Sequence, residues 1–248
     1  MMRVVLAALF VCFGFLSAAQ ADDGLYELRV YTCEPGKLEA LNSRFKNHTM
    51  RIFERHGIEN VAYWTPVDEN DERLIYLIKH KSAEAAKASW DGFRNDPEWK
   101  EVAAKSRADH GKILSKAPEV TDMTEVDYSP EVVSPGSDRL YELRIYTTLE
   151  DRLDALNARF RDHTKQIFAR HGLESYGYWT PTDERSQNTL VYVLSFDDAE
   201  TAKAGWKAFG QDPEWQAARA ASEADGKILA ERPLSVYMKL TDYSPQSK

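Results

Sequence analysis

Apolar and polar residues alternate along the segment that begins at Leu25. Tyr26, Leu28 and Val30 are two positions apart, and charged or hydroxyl-bearing residues stand between them. Successive side chains of a β-strand point to opposite faces, so this alternation predicts a strand with one apolar face and one mixed face. The same pattern returns at Leu140 as Leu-Tyr-Glu-Leu-Arg-Ile-Tyr-Thr, which indicates an internal repeat.

Beyond position 37 the apolar residues are three or four positions apart, which predicts a helix. The apolar stripe comprises Leu38, Leu41, Phe45, Ile52 and Phe53. Further strands are predicted at 58–66, 74–78 and 118–128. Helices are predicted after Ser82 and after Asp96, because both side chains can cap a first helical turn. The order is β-α-β-β-α-β with an extra helix before the last strand, a ferredoxin-like arrangement.

Four motifs besides the first strand occur twice, so the whole unit is duplicated. They are Tyr-Trp-Thr-Pro, Asp-Pro-Glu-Trp, Gly-Lys-Ile-Leu and Asp-Tyr-Ser-Pro. The predicted organisation is a signal peptide at 1–21, a first domain at 22–130, a linker at 131–139 and a second domain at 140–248. A four-stranded sheet with helices on one face needs a cover on the other face. We therefore expect an α+β fold in which the two sheets pack face to face as an intramolecular α+β barrel; side-by-side packing is the alternative.

The first residues have the pattern of a secretory signal. A basic start precedes an apolar run, Val4 to Leu16, that is too short to span a bilayer. Small residues at Ala19 and Ala21 predict cleavage before Asp22, and hence export to the periplasm or the medium. An uncleaved membrane anchor is the alternative.

Cleavage would leave 31 basic against 40 acidic residues, a net charge of −9. An acidic protein has no electrostatic reason to bind nucleic acid or an anionic membrane. Cys33 would be the single remaining cysteine, so no internal disulfide is expected. No spacing of His, Cys or acidic residues typical of a metal site occurs, and the sequence leaves the cofactor open.

The combined motifs resemble the NIPSNAP family. They are Tyr-Glu-Leu-Arg-x-Tyr, Pro-Gly, a helix that ends in His-Gly, a strand with Trp, and Asp-Pro-x-Trp. The second copy departs from them with Glu150-Asp151 in place of Pro35-Gly36. The resemblance implies the dimeric α+β barrel superfamily, which includes small monooxygenases and haem-handling enzymes. The resemblance implies no particular reaction for this chain, because the family has no established one.

Residues that occur at matching positions of both copies suggest a candidate ligand site. It is formed by the mixed face of the first strand and one tryptophan in each copy. Its residues are Glu27, Arg29, Tyr31, Trp64, Glu142, Arg144, Tyr146 and Trp179. If the apolar strand face packs against the helices, the polar set points into the barrel. Buried charges are costly unless they are paired, so the Glu and Arg side chains should bind each other or a ligand. The alternative is a structural salt bridge.

His48 and His163 are weaker, catalytic candidates. By helical spacing His48 falls on the apolar stripe, where a buried histidine could act as a general base or a haem ligand. A core histidine with satisfied hydrogen bonds is the alternative.

Three functions remain open from the sequence. The first is small-molecule binding in the barrel or in a cleft between sheet and helices. The second is a cofactor-free or haem-linked monooxygenase-like enzyme, and the third is a non-enzymatic protein-interaction module. The chain is expected to be a monomer with an internal pseudo-dimer, or a homo-oligomer.

Overall fold

The structure is a computed structural model that describes residues 24–133 and 138–246. The predicted signal peptide lies outside these residues, as do positions 134–137 of the predicted linker. Copy 1 consists of β1 (Leu25–Thr32), α1 (Leu38–Arg44), α2 (Met50–Arg55), β2 (Glu59–Pro66), β3 (Arg73–His80), α3 (Ala83–Asn95), α4 (Pro97–His110) and β4 (Glu119–Glu125). Copy 2 consists of β5 (Leu140–Thr147), α5 (Leu153–Arg159), α6 (Lys165–Arg170), β6 (Glu174–Pro181), β7 (Thr189–Phe196), α7 (Ala199–Gln211), α8 (Pro213–Ser222) and β8 (Leu234–Leu240).

The eight strands form one closed antiparallel barrel in the order β1-β3-β2-β8-β5-β7-β6-β4. The two copies meet at two strand pairs, β2 with β8 and β4 with β6. In the first pair Trp64 lies opposite Leu240, and in the second Met123 lies opposite Pro181. The predicted α+β barrel of two ferredoxin-like units is confirmed. The structure adds that hydrogen bonds between the copies close both edges of each sheet.

The barrel interior is packed with apolar side chains from both copies. Tyr26 and Leu28 of copy 1 lie in the same buried cluster as Tyr141 and Leu143 of copy 2. An eight-stranded barrel is just wide enough for side chains to fill its interior. The apolar face of β1 therefore points inward, and the mixed face points out to the helices.

The helices cover the outside of the barrel, and local sequence determines where they begin. Ser82 Oγ accepts a hydrogen bond from Ala85 N at 3.1 Å, and Asp96 Oδ1 accepts one from Trp99 N at 3.1 Å. Both predicted N-caps are thus confirmed. None of the helices within the described ranges has the length and apolar character needed to cross a membrane.

One residue of the turn before the first helix has a left-handed backbone conformation in both copies, although their sequences differ there. Gly36 has φ +74°, and its counterpart Asp151 has φ +57°. Asp tolerates this conformation better than most residues because its short polar side chain can hydrogen-bond locally. The second copy therefore makes the turn without Pro-Gly.

Candidate functional site

The polar residues of β1 lie between the sheet and the helices. The expectation that they point into the barrel is wrong. Tyr31 packs against the cluster formed by the copy 1 sheet and its helices, whereas Tyr26 and Leu28 belong to the barrel interior. The cause is the closed interior, which both copies fill with apolar groups. On the helix side, Trp90 of α3 provides a hydrogen-bond donor for Glu27.

Glu27 is the centre of a buried polar network in copy 1. Its Oε2 atom accepts a hydrogen bond from Arg29 Nη1 at 2.6 Å, and its Oε1 atom accepts one from Trp90 Nε1 at 2.6 Å. The Arg29 guanidinium lies 4.3 Å from the Trp90 ring centroid, and its Nη2 atom is 3.5 Å from Tyr31 Oη. Burial would raise the pKa of Glu27, but contacts with His80, Trp90 and Arg29 outweigh burial and lower it.

Copy 2 repeats this network almost atom for atom. Arg144 Nη1 donates to Glu142 Oε1 at 2.5 Å, and Trp206 Nε1 donates to Glu142 Oε2 at 2.7 Å. The Arg144 guanidinium lies 4.4 Å from the Trp206 ring centroid, and its Nη2 donates to Tyr146 Oη at 3.3 Å. In both copies, then, the Glu-Arg-Tyr set of one strand is joined to a tryptophan of the helix above it.

The two copies differ in the third group that contacts the buried carboxylate. In copy 1, His80 Nε2 lies 2.9 Å from Glu27 Oε1, although the ring is not well aligned for a hydrogen bond. In copy 2, Ser235 Oγ donates to Glu142 Oε1 at 2.6 Å. By strand register, Phe196 stands in place of the histidine in copy 2. The serine comes from β8, on the other side of the central strand.

A cleft of about 640 Å³ opens beside the copy 2 network, between β5, β8 and α7. We call it the copy 2 cleft. It is lined by Val67, Leu140, Glu142, Arg144, Ala199, Lys203, Trp206, Arg232, Pro233, Ser235 and Tyr237. Val67 comes from copy 1, directly after β2, so both copies contribute to the cleft.

The charges of the copy 2 cleft do not balance. Glu142 and Arg144 neutralise each other, whereas Lys203 and Arg232 have no ion-pair partner in the part of the chain that the structure describes. Burial and the nearby Glu142 raise the pKa of Tyr237 to about 12, so its hydroxyl stays neutral at physiological pH. The cleft therefore combines two unpaired cations with a neutral hydroxyl group.

The corresponding position of copy 1 has a different charge. Lys87 matches Lys203, since each lies five positions after its helix cap. However, Ala117 takes the place of Arg232. By strand register, Asp122 takes the place of Tyr237. Sequence reasoning missed this difference, although a comparison of the two copies position by position would have found it.

The two tryptophans predicted for the ligand site lie on the opposite face of the sheet from the Glu-Arg-Tyr residues of β1 and β5. Trp64 and Trp179 are buried in the barrel interior. Their ring centroids lie 5.8 Å from Tyr141 and 5.7 Å from Tyr26, respectively, so each tryptophan contacts the other copy. The structure does not bring them together with Glu27, Arg29 and Tyr31 or with Glu142, Arg144 and Tyr146.

The expectation that His48 is buried on the apolar stripe is wrong. His48 and its counterpart His163 are both exposed. A π-helical turn, Phe45–Thr49, separates α1 from α2, and it adds one residue to that turn. Thr49 consequently takes the buried position. Neither histidine lines the copy 2 cleft; His48 instead borders a groove of about 410 Å³ between α1 and α4.

Cys33 is buried at the end of β1. Burial, with Glu72 nearby, raises the pKa of its thiol to about 11. No group of three or more His, Cys, Asp or Glu residues within 24–133 and 138–246 is placed to hold a metal ion.

The fold defines a class of protein: an α+β barrel of two ferredoxin-like units, here both in one chain. Matches to the NIPSNAP family model span residues 26–130 and 141–245. Together they cover most of the sequence, so the chain belongs to the NIPSNAP family and contains two tandem copies of its domain. No curated protein matches the sequence.

Several solved structures are similar to this chain. A candidate monooxygenase from Fusobacterium nucleatum is 10% identical, with a TM-score of 0.57 over 92% of this chain and 99% of that chain. One from Lactobacillus acidophilus is 11% identical, with a TM-score of 0.55 over 88% and 94%. A NIPSNAP family protein of unknown function from Agrobacterium tumefaciens is 18% identical over 45% of this chain and 96% of that chain, with a TM-score of 0.39. At these identities the likeness to the Fusobacterium and Lactobacillus proteins shows the fold alone.

Proposed function

We propose that the protein binds a small organic molecule in the copy 2 cleft. The observation that carries this proposal is a cleft of about 640 Å³ with apolar walls and a few fixed polar groups. Ligand sites typically have volumes of about 300–1,000 Å³ and this same composition. The barrel interior is the weaker location because side chains such as Trp64 and Trp179 occupy it.

Hydrogen bonds hold Glu142 and Arg144 in fixed positions in the wall of the proposed site. Glu142 accepts hydrogen bonds from Arg144, Ser235 and Trp206, so its acceptor sites are largely taken. Its network fixes the Arg144 guanidinium and the Trp206 ring at the surface of the cleft. Preorganised groups of this kind reduce the entropy that binding would otherwise cost.

Filling the cleft tests the proposal. Ala199→Trp would place an indole in the copy 2 cleft, and Ala83→Trp makes the matched change at the same helical position of copy 1. Both alanines are exposed in the first turn of a helix, so neither change should unfold the protein. Native mass spectrometry of the purified protein should show a retained mass that Ala199→Trp loses and Ala83→Trp keeps. Equal retention by both variants, or a bare mass for the unaltered protein, would contradict the proposal.

A monooxygenase-like enzyme is the second candidate, and the shared fold of the Fusobacterium and Lactobacillus proteins favours it. The histidines predicted for this role, His48 and His163, are exposed and lie outside the copy 2 cleft. A Soret band in the visible spectrum of the purified protein would support its haem-linked form. If the His48→Ala variant still turned over a bound compound, the activity would not depend on this histidine. The protein-interaction module stays a prediction.

We also propose export, on the sequence pattern of residues 1–21. Amino-terminal sequencing of protein recovered from the periplasm or the medium should begin at Asp22. Recovery of the chain with its original start in the cytoplasmic fraction would contradict export.

A further inference from the structure

We infer that the ligand of the copy 2 cleft is an organic acid: an apolar body that carries one anionic group. This inference rests on the proposed function and adds the chemical class of the ligand. It follows from the charges at the rim of the cleft, the apolar walls, and the different residues in the other copy.

The positive charge of the cleft is available to a ligand. Lys203 on α7 and Arg232 before β8 both line the cleft, and neither forms an ion pair with another described residue. Arg144, by contrast, is neutralised by Glu142 at 2.5 Å. Two unpaired cations at one opening favour an anion, and the field of a partly enclosed cleft strengthens that preference.

The remaining polar groups of the cleft offer no free carboxylate to a ligand. Tyr237 is neutral, since burial and the neighbouring Glu142, to which its hydroxyl is hydrogen-bonded, raise its pKa to about 12. A ligand cation would need a free carboxylate, but the hydrogen bonds of Glu142 are already made within the protein. The polar groups of the cleft therefore match an acid and not an amine.

The walls between these polar groups are apolar. Leu140, Ala199, Pro233 and the ring of Trp206 line the cleft, and Val67 is 42% exposed there. An exposed valine beside other apolar side chains gains when a hydrocarbon covers it, since burial of apolar surface is favourable. The ligand should accordingly carry an alkyl or aromatic part next to its acidic group.

Copy 1 serves as an internal comparison because it has the same fold and the same Glu-Arg-Trp network. Ala117 and Asp122 stand in place of the arginine and the tyrosine. The equivalent positions of copy 1 therefore hold a single unpaired cation, Lys87, and one additional carboxylate. Burial and the proximity of Glu27 raise the pKa of Asp122, which reflects how unfavourable another negative charge is there. An organic acid should thus select copy 2, and the full chain should bind one equivalent.

Calorimetric titration with octanoate and 1-octanol tests the inference, since these probes share a hydrocarbon chain and differ in charge. The full chain should bind one octanoate, about tenfold more tightly than octanol, because one charged contact typically changes affinity by such a factor. Arg232→Ala and Lys203→Ala should each reduce this preference to about threefold. Lys87→Ala, the matched change in copy 1, should leave it unchanged. Rising salt should weaken octanoate binding alone.

The outcomes separate the two proposals. Equal binding of octanol and octanoate would overturn the acid inference and leave small-molecule binding in place. Loss of preference in Lys87→Ala, with none in Lys203→Ala, would place the acid site in copy 1 and would overturn the assignment to copy 2. If neither probe binds and Ala199→Trp also leaves the native mass unchanged, both proposals fail.

Discussion

Replacing Glu27 with glutamine should strongly destabilise the protein. The carboxylate side chain is 4% exposed, and that of Arg29, its partner at 2.6 Å, is 13% exposed. In Glu27→Gln the Arg29 charge stays buried without its counterion, and an amide nitrogen can face the guanidinium. Removing one partner of a buried ion pair costs about 3–5 kcal/mol. For a protein of this size each kcal/mol lowers the Tm by about 2–4 °C, so we expect a loss of about 10 °C.

The assay is chemical denaturation followed by circular dichroism, with two comparison variants. Glu27→Gln combined with Arg29→Met removes both charges, so most of the loss should be recovered, to within about 2 kcal/mol of the unaltered protein. Glu34→Gln breaks the exposed pair of Glu34 with Lys112 and should cost less than about 1 kcal/mol. If Glu27→Gln costs no more than Glu34→Gln, the reasoning that a buried charge network holds α3 against the sheet is refuted.

Three further predictions concern the barrel, acid stability and the thiol. Trp64→Ala should cost about 3–5 kcal/mol and leave a single unfolding transition, because the ring packs between the copies; two separate transitions in calorimetry would contradict a shared interior. The His56 contact, together with Trp99 N and Arg55, holds the pKa of Asp96 far below its usual range. The ionised Asp96 carboxylate therefore stabilises the folded state fully above about pH 4, and this stabilisation is lost as the pH falls further. Asp96→Asn should flatten the acid side of a Tm–pH curve, and an unchanged slope would contradict this prediction. Cys33, with a pKa of about 11, should react with a disulfide reagent at pH 8 far more slowly than free cysteine, and rapid labelling of the folded protein would show that the thiol is accessible.

Features fixed by neighbouring residues could be predicted from the sequence. The caps at Ser82 and Asp96 depend on a few adjacent positions, and the structure has both. The caps need no knowledge of what covers each face of the sheet. The barrel was predicted from the pattern of strands and helices, the duplication, and the need to cover the second face of each sheet, with side-by-side packing as the alternative.

Features that depend on distant parts of the chain could not be predicted in the same way. The alternation in β1 separates its two faces, but only barrel closure determines that Glu27 points to the helices. The spacing of a regular α-helix puts His48 on the buried face, but a π-helical turn changes that spacing and leaves the side chain exposed. The copy 2 cleft joins Val67 of one copy to Arg232 and Tyr237 of the other, and no local motif connects them.

The closure of the barrel between copies determines the order in which the chain can complete its fold during synthesis. β2 finds its second neighbour only when β8 exists, since Trp64 pairs with Leu240 near the end of the chain. Until then copy 1 has two unpaired strand edges, β2 and β4, and an uncovered apolar sheet face. Such edges are templates for pairing with other chains, and contacts between residues so far apart in sequence form slowly. Linking the copies covalently shortens this vulnerable period, because the missing half of the barrel is always supplied by the same molecule.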